Sequence, residues 1–195
     1  MKVAIVKYNA GNIYSVVHAL RRLGVEPVVT DDPEALSSAD KVIFPGVGEA
    51  STTMEYLKRT GLDQVILSLK QPVLGICLGM QLMCHHSEEG DVDCLGLFNV
   101  EVKRFDLPRE YKIPHMGWNQ IHDLKTPLFG NIRENDFVYF VHGYYVPVCT
   151  ETIATSDYPA PFSAALHKDN FYATQFHPEK SGDIGSAILS GFLSL

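Results

Sequence analysis

One segment, Pro72-Val73-Leu74-Gly75-Ile76-Cys77-Leu78-Gly79-Met80-Gln81, constrains the fold more than any other. An apolar strand runs into Gly-x-Cys-x-Gly and passes directly into a helix. A nucleophile elbow has this form, a tight strand-to-helix turn that projects a reactive side chain above the end of a sheet. Side chains at 75 and 79 would crowd such a turn, hence the glycines. The positive end of the helix favours a thiolate at Cys77. The N–H of Leu78, unpaired at the helix start, is placed to serve an oxyanion.

The flanking sequence supplies the sheet that an elbow requires. Val3 to Val6 is a continuous apolar run, as in a strand buried on both faces. A helix follows, with Ile13, Val16, Val17, Leu20 and Leu23 on one face and Gly24 as its stop. Val25 to Thr30 reads as the second strand, and Asp32-Pro33-Glu34 opens a short helix. Val42 to Phe44 is the third strand, cut off by Pro45-Gly46-Val47-Gly48. Helix spans roughly Ser51 to Leu69 with a break near Gly61, and Val73 to Ile76 is the fourth strand. This alternation predicts an α/β fold with a doubly wound, mostly parallel sheet flanked by helices, its ligands at the carboxyl ends of the strands.

Beyond about Leu95 the pattern changes to short strands: Leu97 to Val102, Gln120-Ile121, Phe137 to Val141 and Ile153 to Thr155. A hairpin joins Ser163–Leu166 to Phe171–Thr174 through residues 167–170, and a last helix covers about Asp183 to Leu193. Antiparallel strands are therefore expected to be added to the parallel sheet. With no linker or repeat, residues 1–195 read as a single domain.

Charge and cysteine content narrow the function. The net charge of −7 gives no basic field for nucleic acid or an anionic membrane. The apolar run after Met1-Lys2 is too short for a signal peptide or a membrane span, so a cytoplasmic location is expected. A chain of 195 residues needs no disulfide staples. Cys84, Cys94 and Cys149 read as small buried hydrophobes. Cys84, His85 and His86 are adjacent and so point in different directions on a helix; no metal or cofactor is expected.

A thiol nucleophile needs a base, and the base an orienting acceptor. Gln175-Phe176-His177-Pro178-Glu179-Lys180-Ser181 supplies both at a strand end. Pro178 holds His177 extended, so His177 and Glu179 can share a face. His115, His142 and His167 have no carboxylate at that spacing, and His18 sits on a helix surface.

Cys77 in GICLGMQ together with His177 and Glu179 in FHPEKS resembles the class I, triad-type glutamine amidotransferases, over essentially the whole chain. The resemblance implies a flavodoxin-like fold with added antiparallel strands. Tyr8-Asn9-Ala10-Gly11-Asn12, Pro45-Gly46-Val47-Gly48, Ser87-Glu88-Glu89-Gly90, His115-Met116-Gly117-Trp118-Asn119 and Tyr139-Phe140-Val141-His142 narrow it to the glutaminase subunits of imidazole glycerol phosphate synthases. These serve histidine biosynthesis and pass ammonia to a separate cyclase subunit with a (βα)8 barrel. By resemblance, Cys77 attacks the carboxamide of L-glutamine, His177 relays protons, and Glu179 orients His177. The N–H groups of Val47 and Leu78 form the oxyanion hole. Gly48, Gln81, Glu89, His142, Gly143 and Tyr144 bind the amino-acid end, and Trp118, Asn119, Tyr139 and Lys180 lie toward the partner. Glu89 is chemically suited to a substrate ammonium, although a solvated acidic loop would read the same way. Two positions depart from the family pattern: Glu49-Ala50 stands where Ala-Phe is usual, and Gly143 where Ser or Thr is common.

A stand-alone cysteine hydrolase or chaperone of the same fold also uses an elbow, but such proteins usually lack the His-Pro-Glu segment. A non-catalytic scaffold would not need all three of Cys77, His177 and Glu179. Glycines on both sides of Val47 let the adjoining peptides take two orientations at low cost. An oxyanion hole that is completed only when a partner docks is therefore expected.

Overall fold

A computed structural model describes residues 1–8 and 13–195. The Asn9-Ala10-Gly11-Asn12 part of the first family segment lies outside the described residues. The first half is β1 (Val3–Val6), α1 (Ile13–Arg22), β2 (Val28–Thr30), α2 (Pro33–Ser37), β3 (Lys41–Gly46), α3 (Ala50–Thr60), α4 (Leu62–Ser68), β4 (Val73–Cys77) and α5 (Leu78–Leu82). The second half contains β5 (Cys84–Ser87), β6 (Val92–Asp93), β7 (Phe98–Arg104), β8 (His115–Ile121), β9 (Asp136–His142), β10 (Tyr144–Tyr145), β11 (Thr152–Asp157), β12 (Pro161–Lys168), β13 (Phe171–Thr174) and α6 (Gly182–Ser194).

The main sheet has the order β11-β12-β13-β4-β3-β1-β2. Its five strands from β13 to β2 are parallel, while β12 and β11 add an antiparallel edge. Alternate residues of β1 and β3 enter two separate cores. Ala4, Val6, Val42 and Phe44 pack with Leu36, Met54, Leu57 and Ile66 from α2, α3 and α4. Val3, Ile5 and Ile43 pack with Val16, Leu20, Ile188 and Phe192 from α1 and α6. Both faces are thus covered, which is why these strands read as unbroken apolar runs. Completely buried side chains such as Phe44 and Phe192 each contribute roughly 1.5–3 kcal/mol.

Several boundaries differ from expectation. The second strand begins at Val28 rather than Val25. The Val25 N–H donates to the Leu20 carbonyl to close α1, and Pro27 has no N–H to give a ladder. The helix after Cys77 has only five residues. The N–H groups of Leu95 and Phe98 donate to the Leu82 and Met83 carbonyls, and Cys84–Ser87 joins β7 and β6 in a second sheet of order β10-β7-β5-β6. Gln120-Ile121 is the end of a longer strand, β8, which among the described residues forms a two-stranded sheet with β9. Side chains alternate along β8, with Met116 62% and Trp118 56% exposed. Because one face of this ribbon is left open, β8 carries too little apolar signal to be legible over its full length. Of the extra cysteines, only Cys84 is fully buried; Cys94 and Cys149 are half-buried.

Glu49, one of the two departures, has a structural role at the start of α3. Its carboxylate accepts from the N–H groups of Ser51 and Thr52 and from the Ser51 hydroxyl, which is N-capping by a carboxylate.

The elbow is seated on β3 by a contact that tolerates no side chain. A Cβ on Gly79 would collide with the Phe44 carbonyl oxygen, and one on Gly46 with the Gly79 amide. Both obstacles are backbone and cannot rotate away. Gly79→Ala is therefore expected to destabilise the fold by on the order of 3 kcal/mol. Gly24→Ala, with φ of +77° and nothing within 4 Å, should cost about 1 kcal/mol. Denaturant midpoints at unchanged m-value check both; equal costs would contradict the packing account.

Candidate active site

Three chain segments converge at the carboxyl end of the main sheet. The Gly46↔Cys77 register brings the end of β3 beside the end of β4, and β13 lies on the other side of β4. Cys77 has φ 53° and ψ −108°, a conformation costing about 1–3 kcal/mol that persists only where the surroundings enforce it. This is the strained turn expected of an elbow. Cys77 is 9% exposed. The Leu78 N–H, at the first helical position, has no intrahelical acceptor; a five-residue helix contributes little more than these unpaired N–H groups.

His177 follows β13 and is tied down at both of its backbone groups. Its N–H donates to the Tyr139 carbonyl at 2.9 Å, and its carbonyl accepts from the Ser181 hydroxyl at 2.6 Å. The Ser181 oxygen in turn accepts from the Tyr139 N–H at 2.9 Å. The ring's Nδ1 lies 2.7 Å from Glu179 Oε1, both side chains being buried. Burial opposes charge on the ring, but Cys77 and Glu179 outweigh it and push the His177 pKa up to about 10. An imidazolium next to the sulfur is the arrangement that serves a thiolate nucleophile. The other Glu179 oxygen, Oε2, is buried with no partner among the described residues.

A pocket of about 300 Å³ opens over Cys77, and Val47, Gly48, Leu78, Gln81, Glu89, His142, Gly143, Tyr144, His177 and Lys180 all line it. Glu179 does not line it but stands behind His177. Trp118, Asn119 and Tyr139 lie on the neighbouring β8–β9 ribbon, with Trp118 edge-on to Tyr139 at 6.0 Å. Trp118 is no core aromatic. Glu89 is half-buried; its Oε2 accepts from the Ala50 N–H at 3.0 Å, and burial raises its pKa above the usual carboxylate value. A cation entering the pocket would relieve that cost.

The structure adds residues that the sequence did not place at the site. Pro114 and Val141 also line the pocket, as does Gly46 beside Val47. The Gln175 side chain, fully buried, donates to Cys77 Sγ at 3.7 Å and accepts from Gln81 Nε2 at 3.0 Å. No local pattern marks Gln175, whose partners lie 98 and 94 positions away in the sequence. His115 and His142 form a buried pair with Nδ1 of His115 3.0 Å from Nε2 of His142. Burial lowers their pKa values to about 4 and about 3 respectively.

A family model for class-I glutamine amidotransferases matches residues 4–194. The chain belongs to that family, whose members are enzymes. It is 67% identical over 197 residues to the imidazole glycerol phosphate synthase subunit HisH of Bacteroides thetaiotaomicron. Over 200 residues it is 46% identical to the HisH subunit of Yersinia pestis; both alignments span the whole of each chain. Among solved structures, PurLQS from Thermotoga maritima superposes with a TM-score of 0.73 at 17% identity, covering 99% of this chain and 97% of that one. A glutamine amidotransferase from Thermotoga maritima superposes with a TM-score of 0.66 at 17% identity, covering 100% and 83%. The fold is shared with both.

The neutral histidine pair carries a pH prediction. Above pH ~6.5, the usual histidine pKa, both rings are neutral folded or unfolded and contribute no pH dependence. As pH falls from there toward the folded values of about 4 and about 3, only the unfolded chain takes up protons, so stability declines. For the more deeply buried His142 the slope is at most about 1.4 kcal/mol per pH unit. Urea unfolding at pH 7 and pH 5 should show this loss, and His142→Gln should reduce it. An identical pH slope in that variant would contradict the assignment.

Proposed function

We propose that this chain hydrolyses L-glutamine to glutamate and ammonia through a Cys77 thioester. The ammonia is supplied to a separate cyclase subunit with a (βα)8 barrel that makes imidazole glycerol phosphate and an aminoimidazole carboxamide ribotide in histidine biosynthesis. The observation that carries the chemistry is Cys77, strained at the pocket floor, facing a His177 that is itself bonded to Glu179. The HisH names of relatives up to 67% identical support the acceptor.

The Cys77 sulfur attacks the carboxamide carbon, and the C–O double bond opens to an oxyanion. His177 protonates the leaving nitrogen as the C–N bond breaks, leaving a glutamyl thioester. Water then gives a proton to His177 and attacks the thioester, and glutamate departs as the sulfur returns to its starting state. Glu179 stabilises the imidazolium in both halves. Glu89 has one oxygen on the Ala50 N–H and offers the other to the substrate ammonium. Gln81 and the backbone at Gly48 and at residues 142–144 hold the remaining polar groups. Trp118, Asn119, Tyr139 and Lys180 face the cyclase.

The oxyanion donor at Val47 is the regulated element. Tyr8 is buried and donates to the Pro45 carbonyl, which ties down the start of the Pro45-Gly46-Val47-Gly48 turn. Glycines on both sides leave the Val47 peptide free to turn, so a partner that directs its N–H into the pocket would switch the enzyme on. One missing donor slows turnover about 10²–10³-fold.

Two sets of measurements test this reading. Cys77→Ala should abolish glutamate release yet leave ammonia-driven product formation by the complex, and His177→Asn should slow glutamine hydrolysis by at least ~10²-fold. Substantial hydrolysis by Cys77→Ala would remove the proposed nucleophile. Glutaminase rates for this chain by itself, with cyclase, and with cyclase plus its ligand should rise in that order. Full activity of the isolated chain would sink the gate.

A further inference from the structure

The buried His115–His142 pair belongs to a longer hydrogen-bond chain whose direction is fixed at each link. His142 Nδ1 lies 2.7 Å from the Tyr144 carbonyl, which can only accept, so Nδ1 carries the proton and Nε2 is an acceptor. That Nε2 therefore receives the Nδ1–H of His115 at 3.0 Å. With its proton on Nδ1, His115 has a bare Nε2, which faces the Asn119 amide nitrogen at 3.4 Å. The same amide nitrogen donates to the Asp157 carbonyl at 2.9 Å, while the Asn119 oxygen accepts from the Gln120 N–H. A second chain reaches the Tyr144 carbonyl from the opposite side: Gln81 Nε2 donates to it at 3.1 Å and to Gln175, which donates to Cys77 Sγ. Tyr144 C=O is the point where a path from the exposed ribbon meets a path from the sulfur.

The ring of His115 has little freedom. It stacks on Tyr158 at 3.9 Å and 17° and on Phe140 at 5.0 Å and 24°. Its partner His142, with Gly143 and Tyr144, forms one wall of the pocket. At Gly143 there is no side chain to brace that wall from within. The support comes instead from His142 on one side and Gln81 on the other.

We propose that Asn119, His115 and His142 form a positioning relay that sets the 142–144 backbone for glutamine and transmits docking on the β8 face to it. This rests on the function proposed above for what the pocket holds and what covers β8. Asn119 is adjacent to the exposed Trp118, so a partner seated on β8 shifts the outer end of a chain whose inner end is the pocket wall. None of the three residues touches the reacting atoms, so their effect falls on substrate affinity and on activation by the partner.

The test compares two replacements of His115 in the complex with the cyclase. His115→Phe keeps a flat stacking ring and removes both hydrogen bonds. His115→Gln restores a donor toward His142 and an acceptor toward Asn119. Loss of the buried hydrogen bonds should raise KM for glutamine about tenfold with kcat changed less than about threefold, and His115→Gln should recover most of it. Asn119→Leu, at the outer end, should blunt the rise in glutaminase rate on adding the cyclase even when the cyclase is saturating. It also serves if His115→Phe does not fold. Thermal unfolding and ammonia-driven turnover report whether each variant is folded and docked. A wild-type KM and normal activation in His115→Phe overturn the relay, as does a His115→Gln variant as impaired as His115→Phe. If His115→Phe is not folded, normal activation in Asn119→Leu overturns it. A wild-type complex that releases no glutamate from glutamine overturns the functional reading itself, which is a separate result.

Discussion

The site depends first on a backbone-to-backbone contact, the seating of Gly79 against the Phe44 carbonyl and of Gly46 against the Gly79 amide. With no Cβ on either side, the first turn of α5 can lie directly on the end of β3. The approach brings the Pro45-Gly46-Val47-Gly48 turn to the rim above Cys77 and holds Cys77 at a positive φ. That strain is sustained because β4 is hydrogen-bonded on both sides, to β3 and to β13, and its residues are buried on both faces. A rigid sheet end thus enforces one orientation of the sulfur.

The second organising feature is the β8–β9 ribbon, which makes few sheet contacts yet controls two parts of the site. On one side, the Tyr139 backbone and Ser181 hold the main chain of His177. On the other, His142 reaches the Tyr144 carbonyl in the pocket wall. Its outer surface carries Met116 and Trp118, large apolar side chains more than half exposed. An element that is open to a partner on one face and bonded to the proposed base and pocket wall on the other is mechanically suited to link docking with turnover. Contacts spread over a larger sheet would dilute any such displacement.

Electrostatics in the pocket divides by depth. At the floor, Cys77 and Glu179 keep His177 charged despite its burial. One layer away, His115 and His142 are kept neutral by burial alone or nearly so, and their neutrality gives the chain its one-way hydrogen bonding. At the mouth, the half-buried Glu89 bears an unrelieved desolvation cost. These three histidines differ in charge because, of the three, His177 has the Cys77 sulfur and a carboxylate beside it.

The sequence by itself determined the parallel core, and it singled out the turn at Cys77 and the candidate set of Cys77, His177 and Glu179. Each rests on local information: unbroken apolar runs, glycines two residues either side of a cysteine, and a proline that holds a histidine and a glutamate on one face. It also separated Glu49 from the family pattern, although the capping of α3 became visible only in three dimensions. Tertiary structure decided the rest. The pairing of β8 with β9, the short α5, the place of Gln175 beside the sulfur and the His115–His142 bond depend on residues 13 to 98 positions apart. Periodicity and spacing record what a residue needs from its near neighbours. A hydrogen bond between distant segments leaves no such trace, because any buried polar side chain would look the same until its partner is brought to it.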